Sequence, residues 1–372
     1  MSEPSRSSRG RWGLEGGYVE TYERLIFAVK GLIHPPDRVV AYLRYVADPM
    51  GDRVREGIRY RRVYGFDEQL TIVRSCYPHY LHHDEVWDVE LQSVPRDRIW
   101  KKYDPSEGLR RLMSSNADDP LARAAKGFAE DLSSASGVDV EDMGVSGSLL
   151  LSLHTSTSDI DFLVYGVENC LKARDALRRL LDEGEDFKRF DEERMKGLFD
   201  FRATETPMDY EVFVEQERRK VIQGLYKGYV YFIRFLKDLD EVGEVYGERR
   251  CRRLGVARVR AAVVDDSESL FTPCNYKVEC LEVLEGRVDP RALKEVTSFR
   301  GRFAEQALRG EVVEVRGALE EVRFRGELYQ RLVVGAPGDY MIALGLLRTR
   351  SHPKEAAHAL LATDLGEEDA TE

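Results

Sequence analysis

The sequence has few cysteines and no long hydrophobic run. Its 372 residues include five cysteines, and none of them forms a Cys-x-x-Cys pair. This spacing excludes the common structural zinc sites and gives no basis for a disulfide framework, so we expect buried free thiols. No segment approaches the roughly 20 consecutive apolar residues that a membrane-spanning helix needs. Residues 1–17 lack the apolar core of a secretory signal peptide, so we expect a flexible tail and a cytoplasmic protein.

The chain also lacks an excess of positive charge. Its formal net charge of −11 argues against a protein that coats nucleic acid over its whole surface, although it does not exclude a local basic groove. Acidic and basic residues are densely mixed, and arginine outnumbers lysine. This mixture is typical of surface ion-pair networks in thermophiles, but a bias in genomic base composition would also produce it.

The length and the 42% share of hydrophobic residues predict several domains of a mixed α+β class. A small N-terminal α+β domain is predicted over residues 18–105, where Val-, Ile- and Tyr-rich segments indicate strands separated by a proline turn. Residues 106–241 are predicted to form a second domain. Short Val-rich segments within 242–350 predict a β-rich domain with a small barrel or curved sheet. Residues 351–372 are predicted to be a C-terminal tail.

Apolar spacing in the second domain predicts a series of helices and strands. The series begins with a helix capped by Ser106 that runs to Met113. A longer helix follows, which Asp118-Asp119-Pro120 opens and which has an apolar stripe (Leu121, Ala124, Ala125, Phe128 and Leu132). Strands are then predicted at 142–145, 159–165 and 229–236, and helices at 149–154 and 169–181. In the β-rich domain, a helix is predicted at 303–308.

The most informative segment contains a Gly-Ser pair and two closely spaced aspartates. Gly147 and Ser148 are predicted at a turn, and Asp159 and Asp161 at the start of the following strand. Residues i and i+2 of a strand point to the same face, so the two carboxylates should lie side by side. Their repulsion would raise one pKa unless a cation lies between them, and Mg²⁺ suits such carboxylate oxygens. Backbone N–H groups at the Gly-Ser turn would bind a phosphate.

A phosphate-binding turn beside two metal-binding carboxylates predicts the transfer of a nucleotidyl or phosphoryl group. The Gly-Ser pair and the Asp159-Ile-Asp161 sequence, separated by the ten residues from 149 to 158, resemble the signature of the DNA polymerase β-like nucleotidyltransferase superfamily. The resemblance covers the middle third of the chain. It is strongest to archaeal predicted nucleotidyltransferases that carry extra N- and C-terminal regions.

The resemblance implies a polymerase-β-like core, which is a short mixed sheet with helices, and a specific reaction. Gly147, Ser148 and Ser158 would bind the nucleotide, while Asp159 and Asp161 would bind Mg²⁺, with Mn²⁺ as a substitute. An acceptor hydroxyl would attack the α-phosphorus of a nucleoside triphosphate, and pyrophosphate would leave. The flanking domains favour a macromolecular acceptor. An RNA end is the first expectation, and protein or small-molecule acceptors stay open.

The family normally supplies a third carboxylate from a later strand, and here two interpretations are open. If residues 208–214 form a strand, Asp209 and Glu211 share one face, and Asp209 is the preferred third acid. If the segment is a helix that begins at Thr206-Pro207 and ends at Gly224, Asp209 lies in its first turn. The helix is favoured, because no breaker interrupts the segment before Gly224.

The lack of an evident third acid leaves an alternative function open. The predicted strand at 229–236 contains Arg234 but no acid. A chain that keeps the fold without a third carboxylate would be a weak or inactive module that binds nucleotide or RNA. A partner-regulated protein that resembles the nucleotidyltransferase of a toxin–antitoxin pair is a further possibility, although such proteins are usually more compact.

One stretch of the chain is densely basic and could contact RNA phosphates. Acidic residues lie close to it in sequence, so a surface of salt bridges is the favoured interpretation. The basic residues are Arg249, Arg250, Arg252, Arg253, Arg258 and Arg260.

Overall fold

The structure is a computed structural model that describes residues 11–115, 119–203 and 205–345. Within these residues, three sheets and seven helices form a mixed α+β fold, which confirms the predicted class. No helix in this described part is long and apolar enough to cross a membrane. The predicted C-terminal tail at 351–372 lies outside the described residues, as do residues 1–10 of the predicted N-terminal tail.

The N-terminal sheet has eight strands, and every pair of neighbouring strands is antiparallel. One face packs on helix α1, and the opposite face, which carries Tyr18, Tyr45 and Tyr60, packs on the middle of the chain. The elements are β1 (Tyr18–Thr21), β2 (Ile26–Val29), β3 (Arg38–Ala47), β4 (Arg53–Arg55), β5 (Ile58–Arg62), α1 (Phe66–Cys76), β6 (Leu81–Asp84), β7 (Val89–Pro95) and β8 (Ile99–Tyr103).

The segment before β1 has a defined structure, so the prediction of a flexible tail over 1–17 is wrong for residues 11–17. Arg11–Gly13 form a 3-10 turn, and the Arg11 guanidinium bonds to Asp142 and Asp238 at 3.3 and 3.1 Å. Leu14 is buried against apolar side chains of the middle of the chain, namely Leu163, Tyr165 and Leu236. These contacts join residues far apart in sequence, which is why the composition of the segment did not reveal them.

The middle sheet has five strands in the order β11-β12-β13-β10-β9, in which β10 runs parallel to β13 and antiparallel to β9. Helices α3 and α5 pack against it, and all five residues of the predicted apolar stripe on α3 are buried. The elements are α2 (Pro105–Ser114), α3 (Pro120–Ser136), β9 (Met143–Val145), α4 (Gly147–Leu150), β10 (Ile160–Tyr165), α5 (Val167–Glu183), β11 (Phe187–Lys188), α6 (Glu192–Ala203), α7 (Tyr210–Arg218), β12 (Gln223–Tyr226) and β13 (Tyr229–Leu236).

Two predicted helix starts in the middle domain need correction. Asp104, not Ser106, caps α2, because its carboxylate accepts hydrogen bonds from two backbone N–H groups of the first turn. Helix α4 begins at Gly147 and ends at Leu150, earlier than the predicted range of 149–154. The chain leaves the helix at Ser152, whose φ of 54° is left-handed.

The region of α6 and α7 resolves the ambiguity around Asp209. Residues from Tyr210 to Arg218 are helical, with Asp209 at the N-cap, so the favoured helical interpretation is right in type. The predicted end at Gly224 is wrong, because Gly224 lies in β12. The chain leaves α7 before Lys220, whose ammonium group is buried and bonds to Glu217 at 2.8 Å. Helix α6 was not predicted.

The C-terminal sheet closes into a barrel, one of the two forms, a small barrel or a curved sheet, that the sequence left open. Five strands follow the order β14-β15-β16-β18-β17, and β17 pairs again with β14 to close the ring, while β19 pairs with β17. All these pairs are antiparallel except β16 with β18. The strands are β14 (Arg250–Asp265), β15 (Cys274–Glu285), β16 (Leu293–Ser298), β17 (Val312–Phe324), β18 (Glu327–Val333) and β19 (Tyr340–Ala343).

The helix predicted at 303–308 is absent from the described structure, where only Gly301–Phe303 forms a 3-10 turn. The Tyr276 hydroxyl explains the difference. It donates to the carbonyl oxygen of Phe303 at 2.6 Å and accepts from the N–H of Gln306 at 2.8 Å, so a side chain satisfies backbone groups that a helix would have paired.

Candidate functional site

The contact between Gly147 and Asp161 forms the centre of the site. Strands β9 and β10 are adjacent and antiparallel, and the N–H of Ser146 donates to the carbonyl oxygen of Asp161 at 2.8 Å. Gly147 has a φ of 60°, and a Cβ built on it would lie 2.0 Å from Asp161 Oδ2. Only glycine fits here, because any side chain would displace the carboxylate and strain the backbone.

Asp159 lies one residue before β10, and its charge acts on Asp161. Burial raises the pKa of Asp161 above its usual range, and the Asp159 carboxylate raises it further. Arg234, Arg62 and Arg44 oppose this shift without cancelling it. A carboxylate whose surroundings disfavour its charge gains most from a bound cation.

The two serines predicted to bind nucleotide have different surroundings. The Ser148 hydroxyl is buried and has no hydrogen-bond partner among the described residues. The Ser158 hydroxyl accepts from the N–H of Thr155 at 3.0 Å and lies 3.4 Å from Arg53 NH1. Ser148 therefore has an unsatisfied buried hydroxyl, whereas Ser158 stabilises the loop that leads into β10.

The structure brings no third carboxylate to this pair. Asp209 is exposed at the N-cap of α7. Across the described ranges, no group of three or more His, Cys, Asp or Glu side chains could hold a metal ion. On β13, Phe232 lies opposite Asp161, and the next residue on the same face is Arg234. Arg234 NH1 lies 3.6 Å from Asp161 Oδ1, so the neighbouring strand presents a cation to the site instead of an acid.

Arg234 also connects the site to the segment before β1. Its Nε lies 3.8 Å from Oε1 of Glu15, a buried residue. Glu15 accepts from Lys30 Nζ at 2.7 Å and from the N–H of Gly31 at 2.9 Å. No sequence pattern indicated this role, because Glu15 lies in a segment rich in glycine and far from Asp161 along the chain.

Strand β4 of the N-terminal sheet fixes the loop between the Gly-Ser pair and the aspartates. Arg53 NH1 donates to the carbonyl oxygen of Leu153 at 2.8 Å, and Arg55 NH1 to that of Leu151 at 3.5 Å. Arg55 is itself paired with buried Glu20 at 2.7 Å. The loop side chains pack among aromatic residues of the sheet in one cluster (Leu150, Leu151 and Leu153 with Tyr18, Tyr45, Tyr60 and Tyr103). The N-terminal domain therefore forms one wall of the site.

Comparison with known proteins identifies a relative that covers most of the chain. The chain is 32% identical over 331 residues to the uncharacterized protein MJ1086 of Methanocaldococcus jannaschii, an alignment that covers 86% of this chain and 94% of that protein. The chain belongs to the family of this archaeal protein. No family model and no solved structure matches the chain. Membership in this family assigns no chemistry, so the function has to be argued from the site.

In the structure of the present chain, ion pairs neutralise most of the densely basic stretch. Arg249 pairs with Glu244 at 3.1 Å, and Arg252 pairs with Glu321 at 3.0 Å. Further pairs join Arg258 to Glu285 and Glu314, and Arg260 to Glu282 and Glu314. These ion pairs agree with the favoured interpretation of a salt-bridged surface.

Proposed function

We propose that the chain is a metal-dependent nucleotidyltransferase that moves a nucleoside monophosphate from a nucleoside triphosphate to a hydroxyl acceptor. One observation carries the proposal: the carboxylate of Asp161, whose pKa is raised by burial and by Asp159, lies directly against Gly147 at the Gly-Ser pair. A paired-carboxylate site and a phosphate-binding turn have to be adjacent for this reaction, because the metal must reach the phosphates.

The residues at the site fit a bound nucleotide and metal ion. Asp159 and Asp161 would hold Mg²⁺ or Mn²⁺, which when bound supplies positive charge to the phosphate oxygens and to the leaving pyrophosphate. The buried, unpartnered hydroxyl of Ser148 would donate to a phosphate oxygen, and so gain the partner that it lacks among the described residues. Helix α4 has four residues, so the fit depends on this hydroxyl and on Gly147, not on a helix dipole.

The proposed step has a simple balance of atoms. The acceptor oxygen forms a bond to the α-phosphorus, and the bond between that phosphorus and the oxygen that bridges to the β-phosphorus breaks. Pyrophosphate leaves with the electron pair of the broken bond, and the proton of the acceptor hydroxyl passes to water. An RNA end is the acceptor to test first, because the two flanking domains would suit a macromolecule.

A second function, nucleotide binding without turnover, is favoured by one observation. Arg234 lies 3.6 Å from Asp161 on the neighbouring strand, and the described residues offer no third carboxylate that could accept the proton of the acceptor. Under this alternative the site would bind the nucleotide through the same residues, and the bound nucleotide would itself be the functional state.

Label transfer distinguishes the two functions. The full-length protein would be incubated with each α-³²P-labelled nucleoside triphosphate, with Mg²⁺ or Mn²⁺, and with total RNA or total protein. We expect label on a macromolecule, and we expect Asp159→Asn and Asp161→Asn each to abolish it. Asp175→Asn, an exposed aspartate of α5, is the matched control and should keep the activity. Nucleotide binding by the wild type without transfer under any condition would favour the second function.

A further inference from the structure

Two arginines of the N-terminal sheet, Arg44 and Arg62, face the site without an acidic partner. Many arginines of the chain form ion pairs, but neither of these has a carboxylate oxygen within 4.0 Å among the described residues. Both side chains are half-buried, and the Nε of Arg62 is buried with no hydrogen-bond partner in the described structure. A buried guanidinium N–H group without an acceptor is energetically unfavourable, so a ligand oxygen that accepts a hydrogen bond from it would stabilise the protein.

The strand register directs both arginines toward the middle domain. Arg62 of β5 lies opposite Tyr45 of β3, so the two side chains share a face. Between β2 and β3 the register shifts, with Ile26 opposite Tyr45 and Phe27 opposite Leu43, which leaves Arg44 as the extra residue of a β-bulge. A β-bulge can turn a side chain to the face of the sheet opposite to the one that regular alternation along the strand would give it.

The face that Tyr45 and Ile26 share packs on Leu150 of the loop between the Gly-Ser pair and the aspartates. Both arginines are also among the charges that act on the Asp161 carboxylate. Burial and Asp159 raise the pKa of Asp161, whereas Arg234, Arg62 and Arg44 lower it. Asp161 and Arg44 also influence the pKa of Tyr18 together, although burial is the largest cause of its rise.

The charges at the site suit a polyphosphate. Arg44, Arg62 and Arg234 contribute three positive charges, and Asp159 and Asp161 contribute two negative charges. Once a divalent cation neutralises these two carboxylates, Arg44 and Arg62 are left without a counter-charge and Arg234 keeps only its contact with Glu15, so a triphosphate would provide the missing negative charge. Guanidinium groups suit this role, because they donate in pairs to phosphate oxygens.

We propose that Arg44 and Arg62 form a triphosphate-binding surface that the N-terminal domain supplies to the site. This surface rests on the proposed function for the identity of its ligand, a nucleoside triphosphate. It explains why the N-terminal sheet docks on the loop around Leu150. The nucleotide would be held between the two domains, and neither domain alone would bind it well.

The test measures binding by titration calorimetry with the full-length protein and Mg²⁺. The probes are inorganic tripolyphosphate, ATP and AMP, and the variants are Arg44→Gln and Arg62→Gln. We expect each variant to bind tripolyphosphate and ATP about tenfold more weakly, with a much smaller change for AMP. The matched control is Arg61→Gln. Arg61 adjoins Arg62 on β5 and is paired with Asp48 and Glu68, so it should leave all three affinities unchanged.

Unchanged affinity for tripolyphosphate in both variants would overturn the proposal. So would a loss that is confined to RNA binding, since RNA phosphates would then be the ligand. If Arg62→Gln does not fold, as judged by its melting curve, Arg44→Gln and Arg62→Lys carry the same test. Arg62→Lys keeps the charge but loses the paired donors, so a loss of a few-fold is expected.

The label-transfer assay separates this proposal from the proposed function. If tripolyphosphate binding depends on the arginines but no nucleotide gives label transfer, the triphosphate-binding surface is supported and the nucleotidyltransferase activity is rejected. If Arg44→Gln and Arg62→Gln transfer label at the wild-type rate, the nucleotidyltransferase activity is supported and the triphosphate-binding surface is rejected.

Discussion

The Asp161 carboxylate packs so closely on Gly147 that a Cβ on the glycine would lie 2.0 Å from Oδ2. Gly147→Ala is therefore expected to displace the carboxylate and to abolish metal-dependent transfer. The matched control is Gly184→Ala, because Gly184 has a φ of 72° and a methyl group added to it would meet no described atom within 4 Å.

Urea unfolding and label transfer together check this prediction. Gly184→Ala should lose about 1 kcal/mol of unfolding free energy from backbone strain alone and keep the activity. Gly147→Ala should lose more than the control, because it adds a steric clash to the strain. If Gly147→Ala transfers label at the wild-type rate, Asp161 is not in the reaction.

Asp161→Asn should make the metal-free protein more stable at pH 7. Burial, and then Asp159, raise the pKa of Asp161, so the fold disfavours its charged form. The charge therefore reduces stability at neutral pH, and this reduction disappears as the pH falls through the raised pKa. Asparagine carries no charge, so the variant should have a larger free energy of unfolding than the wild type at pH 7 without metal.

Urea unfolding with EDTA checks this gain, and melting curves with Mg²⁺ check the metal site. Mg²⁺ should raise the melting temperature of the wild type and leave that of Asp161→Asn unchanged. A variant that is less stable than the wild type at pH 7 without metal would contradict the account, because Asp161 would then be stabilised by its arginine neighbours.

The sequence predicts those parts of the site that are formed by residues close together in the chain. Gly147 lies just after β9 and Asp161 lies near the start of β10, so the antiparallel pairing of the two strands brings them together. Strand β13 is predicted with its observed bounds, because a run of apolar and aromatic residues that contains a single charged residue, Arg234, follows Gly228. Local spacing carries enough information in both cases.

The remaining parts depend on contacts between distant segments. Glu15 contacts Arg234 from the segment before β1, and Arg44 and Arg62 of the N-terminal sheet influence the pKa of Asp161, but nothing in their spacing along the chain relates them to Asp161. Helix α6 was missed because its apolar residues do not form a stripe, and only Met195 among them is buried. A third acid could not be identified because β13 presents Arg234 instead.

Ser148→Ala should reduce nucleotide affinity without destabilising the protein. The hydroxyl of Ser148 is buried without a partner in the described structure, so its removal should leave the unfolding free energy unchanged or raise it slightly. Affinity for MgATP should fall several-fold, because a hydrogen bond to phosphate is lost. The matched control is Ser146→Ala. Ser146 donates to the carbonyl oxygen of Gly16 at 2.7 Å, so this change should reduce stability by about 1 kcal/mol.

Calorimetric titration with MgATP and urea unfolding of both variants provide the measurements. The two serines should give opposite patterns, with affinity lost at Ser148 and stability lost at Ser146. Unchanged MgATP affinity in Ser148→Ala would exclude this hydroxyl from the binding site.

Acid should weaken the attachment of residues 11–17 through His34. Its Nε2 bonds to the carbonyl oxygen of Gly13 at 2.6 Å, and its Nδ1 accepts from the N–H of Val40 at 3.2 Å, so the ring is neutral in the fold. Burial lowers the pKa of His34 to about 4. The folded pKa is below the unfolded value of about 6.5, so the stabilisation is complete above pH 6.5 and is lost as the pH falls toward 4. The loss is at most about 3 kcal/mol.

Urea unfolding between pH 7 and pH 4.5 of the wild type and of His34→Gln tests this titration. Glutamine does not ionise, so the variant should lose stability less steeply over this range, whatever its stability at pH 7. Carboxylates that titrate below pH 5 contribute equally to both proteins and cancel in the difference. Equal slopes would mean that His34 is protonated as easily in the fold as in the unfolded chain, and that the segment with Glu15 is held by other contacts.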